Sequence, residues 1–136
     1  MEDYQAAFFE RHTDTEILYR KELERRVAAM HFGGITIECL LKAIICNTLP
    51  GGANQTLITH SYTELLKKHN KLKCRVDNNL QVRKWLYQVE NPIGQHFIDM
   101  RYSSLKPEAL NEQNYKDWLY AYQSLITWLH KQITQL

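Results

Sequence analysis

The 136-residue sequence is poor in the residues that break or staple a chain. It has five Gly and three Pro, too few turn formers for a sandwich or barrel of many short strands. Its three cysteines, Cys39, Cys46 and Cys74, are odd in number and contain no Cys-x-x-Cys. That argues against a disulfide framework or a zinc finger and predicts reduced, buried thiols in a cytoplasmic protein. No apolar run reaches about 18 residues, so no membrane span is expected. Met1-Glu2-Asp3 lacks the basic-then-apolar order of a signal peptide. Charge of one sign is lacking too: 17 Lys+Arg against 15 Asp+Glu give +2, too little to prove a nucleic-acid or membrane partner. There is no Gly-x-Ser-x-Gly elbow, and none of the six His forms a His-x3-His pair. Pro50-Gly51-Gly52-Ala53 lacks the Lys-Ser/Thr of a phosphate loop and reads as a turn. No metal and no cofactor are expected.

What the sequence does have is core material. It is 44% apolar and 11% aromatic. A chain of this length should fold to about 7,400 Å² of surface and hide about two-thirds of what it exposes when unfolded. The expectation is a single domain over residues 1–136 with no repeat and no linker. The apolar spacing is helical throughout, so an all-α, antiparallel up-and-down bundle of four to five helices is expected. Thr13 followed by Glu16 fits a capping box, which would start or restart a helix there. Val27–Asn47 is apolar on every side, the pattern of a central helix. Gly33-Gly34 within it cost about 1 kcal/mol each against Ala, a loss that a closely packed neighbour can offset. Thr59 is an expected N-cap for a helix through Leu65, Leu66 and Leu72. Further helices are expected over Leu80–Val89, Ile93–Met100 and Glu112–Leu136.

Polar residues on apolar helices are the candidates for function. Glu38 and Lys42 lie one turn apart on the central helix, Glu first, the better order for a pair. Such charges are costly there unless they are partnered or border a wet groove. Lys67, Lys68, Lys71, Lys73 and Arg75 form a basic run, suited to a solvated helix end or to phosphate. The small total charge hides a segregation. The first 26 residues carry five Lys/Arg and seven Asp/Glu, net −2, whereas Thr59–Ser104 carries eight and four, net +4. Arg25 or Arg26 with His31 could hold a phosphate and act as acid/base on a ribose hydroxyl.

The segment His31–Ala43 (HFGGITIECLLKA) is followed by Thr59-His60-Ser61-Tyr62-Thr63-Glu64-Leu65-Leu66, then by Arg101-Tyr102 before a Pro107-containing loop and a long last helix. In that order and spacing the chain resembles the HEPN family (higher eukaryotes and prokaryotes nucleotide-binding domain) over about residues 14–134. The resemblance implies a helical bundle that pairs as a symmetric homodimer. Members of the family include partners of a minimal nucleotidyltransferase in toxin–antitoxin pairs, metal-independent ribonucleases, and non-catalytic domains that bind nucleotides. The ribonucleases carry an Arg with a closely following His near the start of a late helix. Here Arg101 is followed by Tyr102 and by no His until His130. The resemblance therefore carries over Arg101 and Tyr102 as groove residues, but not the catalytic pair.

Two functional expectations follow. The first is a non-catalytic dimer that binds a nucleotide or other phosphate-bearing ligand, or serves as partner of a nucleotidyltransferase. Glu38, Lys42, His60, Arg101 and Tyr102 would line its groove. The second is a ribonuclease toxin acting on RNA, with His31 as base and Arg26 on the phosphate.

Overall fold

The computed structural model describes residues 3–20, 25–52, 56–102 and 112–136, with backbone alone at 101 and 102. Six α-helices run through them: α1 (Tyr4–Tyr19), α2 (Arg26–Thr48), α3 (Tyr62–Leu66), α4 (Asn70–Asp77), α5 (Leu80–Glu90) and α6 (Glu112–Ile133). Two 3-10 segments, Pro92–Gly94 and Phe97–Tyr102, follow α5. No strand occurs among the described residues. The fold is the all-helical bundle that the apolar spacing predicts, with six helices rather than four to five because the segment after Thr59 forms two. Its accessible surface is 7722 Å², close to the value expected from length.

α2 is the central element. From Thr36 to Ile45 every residue is buried, and α1, α3, α5, α6 and the second 3-10 segment all pack on it. By length and composition α2 is apolar enough to cross a bilayer, which the search for an unbroken apolar run does not register. Its apolar surface is spent on the bundle core. Gly33 and Gly34 make the expected close approaches. A Cβ on Gly33 would lie 2.5 Å from Trp118 of α6, and one on Gly34 would overlap the Phe97 ring. Tyr62 of α3 stacks on Phe97 and donates to the Gly34 carbonyl at 2.7 Å.

Helix boundaries depart from expectation in four places. The Thr13–Glu16 capping box does not form, because α1 is already under way. Asp3 caps it by accepting from the Ala6 N–H at 3.0 Å, and the Thr13 hydroxyl turns back to donate to the Phe9 carbonyl. Thr59 is not a helix cap either. It accepts from the Ser61 N–H, while Ser61 caps α3 through the Glu64 N–H. The single helix expected through Leu72 is two, divided at Lys67–His69. His69 is the N-cap of α4: its Nδ1 accepts from the Leu72 N–H and its Nε2 donates to the Thr48 hydroxyl at 2.8 Å. Burial of the imidazole, with Lys71 and Arg75 nearby, holds its pKa below the ordinary histidine value. The expected helix over Ile93–Met100 is replaced by the two 3-10 segments, with Ile93 in the left-handed region at φ 52°. Of the three thiols expected to be buried, Cys39 is buried, Cys46 is half-buried and Cys74 is exposed.

Candidate functional site

The site is built from the middle of α2, the start of α1 and the irregular segment that leads to α3. Glu38 and Lys42 project from successive turns of α2, with side chains 7% and 6% exposed. The Lys42 ammonium donates to Glu38 Oε2 at 2.8 Å. Desolvating two charges is expensive, and the pair holds its place only if the remaining carboxylate lone pairs are also satisfied. His60 does this from the incoming segment: its Nδ1 lies 2.8 Å from Glu38 Oε1. A carboxylate only accepts, so Nδ1 donates to it and Nε2 is the ring nitrogen turned to other partners. The His60 side chain is 53% exposed, so the relay runs from a buried ammonium through a buried carboxylate to an imidazole at the surface.

Tyr4 positions the rest. Its hydroxyl accepts from the Leu57 N–H at 2.7 Å and lies 3.3 Å from the Leu57 carbonyl. This pins the segment before His60 against α1. Lys42 Nζ sits 5.4 Å from the centroid of the Tyr4 ring, within cation–π range. Between these parts lies a groove of about 560 Å³, lined by Asp3, Tyr4, Glu38, Lys42, Leu57, Ile58 and His60 among others. Ile58, at its edge, is 88% exposed.

The expected site residues are thus partly brought together. Glu38, Lys42 and His60 form one connected unit. Arg101 and Tyr102 belong to the 3-10 segment Phe97–Tyr102, but their side chains lie outside the described residues. Arg26 and His31 are separated by about 140° around α2. Arg26 stacks over the Tyr115 ring at 4.7 Å, and His31 Nδ1 is 2.8 Å from the Phe97 carbonyl. Arg25 immediately precedes α2 as its N-cap. The basic run is mostly used locally. Lys67 pairs with Glu64, Lys73 with Asp77, and Arg75 donates to the Gln132 side chain and the Gln135 carbonyl at the end of α6.

Sequence reasoning missed Tyr4, Leu57 and Ile58 as groove residues. Tyr4 reads as one more apolar position beside Phe8, and nothing local in Leu57-Ile58 signals that the segment meets α1. Among the described residues no group of three His, Cys, Asp or Glu is placed to hold a metal ion. Comparison with family models, with curated proteins and with solved structures finds no match to this chain. The fold and the site therefore define a class only: an all-helical bundle with a charged relay at the floor of a surface groove.

Proposed function

We propose that this protein is a non-enzymatic binding domain whose groove takes a nucleotide or another phosphate-bearing ligand. The observation that carries the reading is the Lys42–Glu38–His60 relay at the floor of the groove. A core helix that needed only stability would do as well with apolar residues at both α2 positions. The Lys42 ammonium has donors beyond the one given to Glu38, and His60 has its Nε2 beyond the bond to Glu38. These are the groups that meet a phosphate oxygen. Tyr4, Leu57 and the exposed Ile58 offer an apolar wall for a ring. Partnership with a nucleotidyltransferase stands on the family resemblance alone. Homodimerisation has support of its own in Phe9 and Ile17, which stay 54% and 51% exposed on α1.

Calorimetric titration with ATP, GTP and cyclic nucleotides tests the ligand. Binding should raise the melting temperature, with stabilisation of about 2.7 kcal/mol at one hundred times the dissociation constant. His60→Gln, which keeps a donor for Glu38, should weaken it without unfolding the protein, because the His60 side chain is 53% exposed. No heat and no shift in melting temperature with any nucleotide would overturn the ligand reading and leave only a protein partner.

A further inference from the structure

A second cluster lies on α5 and α6, on elements that do not build the groove. Trp85 of α5 and Tyr120 of α6 meet edge to face, with ring centroids 6.2 Å apart and planes at 74°. Trp128, two turns further along α6, closes the same hollow, whose volume is about 360 Å³. Tyr120 is 64% exposed, while Trp85 and Trp128 are half-buried. Large aromatic rings grouped at a surface mark recognition more often than chance exposure.

The polar groups around the rings distinguish this hollow from a plain apolar patch. Gln123, Ser124 and Lys131 line it, and none of their side chains has a partner among the described residues. The same holds for the indole N–H of Trp85 and of Trp128 and for the Tyr120 hydroxyl. The residues lining the aromatic corner thus carry an amide, a hydroxyl, a phenol, two indole N–H groups and one ammonium, none of them bonded to another described residue. Neutral donors and acceptors outnumber the single cation. That balance suits a polyhydroxylated ring better than a polynucleotide, whose backbone needs several cations along its track. The volume admits one such ring with its substituents.

We infer that this hollow binds a sugar ring carrying one acidic group. A face of C–H bonds lies on Tyr120 and Trp85, the hydroxyls bond to Gln123, Ser124 and the indole N–H groups, and the acidic group meets Lys131. The site is independent of the groove.

The test uses the indole N–H resonances of the whole protein, followed by NMR during titration with glucuronic acid, glucose and uridine monophosphate. The three Trp supply an internal control, because Trp118 is 1% exposed in the core. Trp85→Phe and Trp128→Phe assign the peaks. Glucuronic acid should shift the Trp85 and Trp128 peaks saturably below roughly 100 mM and leave Trp118 unmoved. Glucose should bind about tenfold more weakly, the worth of one charge-assisted hydrogen bond. Lys131→Ala should reduce glucuronic acid to the level of glucose. Tyr120→Ala, an exposed position whose loss leaves the core intact, should abolish both. No saturable shift with either sugar, a shift with uridine monophosphate alone, or binding that survives Tyr120→Ala would overturn the inference.

Discussion

At the scale of single residues, the account turns on a charge pair that the core tolerates only as part of a larger unit. Lys42→Met leaves Glu38 buried with His60 as its one remaining partner among the described residues. It should cost about 3 kcal/mol in urea unfolding, the range for stranding one member of a buried pair. Glu38→Leu combined with Lys42→Met should recover most of that loss, since two apolar side chains strand no charge. A double variant as unstable as Lys42→Met would mean that the pair itself holds the bundle together.

Two other histidines set a pH dependence. His12 is held below the ordinary histidine pKa by burial and by His130, against the opposing pull of Glu16. His69 is lowered by burial and by Lys71 and Arg75. Both then titrate lower in the folded chain than at the unfolded value of about 6.5, so the unfolded state takes up protons first. The stability tied to these groups is complete above about pH 6.5 and falls as the pH drops from there toward the folded values. Urea midpoints at pH 7.5 and 5.5 should show the decline. His69→Asn keeps an N-cap acceptor and removes one titrating group, so its decline should be smaller. An unchanged decline would show that His69 contributes none of it.

At the scale of elements, α2 is held by close approaches at two glycines. Ala is the better helix former by about 1 kcal/mol, yet Gly34→Ala drives a methyl into the Phe97 ring. The overlap should win, with a net loss of about 1–3 kcal/mol. A melting temperature equal to or above that of the parent would contradict the packing of Phe97 on α2. These contacts also show what the sequence makes legible. The apolar period places α2, α5 and α6 to within a few residues, and the Gly pair signals a close neighbour. The four-residue spacing of Glu38 and Lys42 announces their ion pair. His60 stands 22 residues away from Glu38, and no local pattern reports that contact; family resemblance singles it out. The break at Lys67–His69 is hidden because His is an unusual N-cap and its second bond is to Thr48, on another helix. Thr13–Glu16 misleads because a capping box needs a Thr outside the helix, and Asp3 has already set α1 in motion.

At the scale of the whole molecule, the opposite charges of the first 26 residues and of Thr59–Ser104 lose much of their significance once the side chains are placed. Much of the basic excess after Thr59 is tied to helix ends and neighbouring carboxylates. A second copy is instead expected to meet the apolar stripe of α1, where Phe9, Thr13 and Ile17 follow at four-residue steps. Light scattering at micromolar protein should give twice the chain mass, and Phe9→Glu with Ile17→Glu should return it to one. A parent protein of single-chain mass would contradict this.

The central claim is that the Lys42–Glu38–His60 groove binds a phosphate-bearing nucleotide. Imidazole ¹⁵N spectra during ATP titration test it most directly, because the relay leaves His60 Nε2 as the nitrogen available to a ligand. Nucleotide bound in the groove should give a saturable change at His60 Nε2 that exceeds any change at the other histidines. A His60 signal unmoved up to about 10 mM ATP, or a change centred on another histidine, would contradict it.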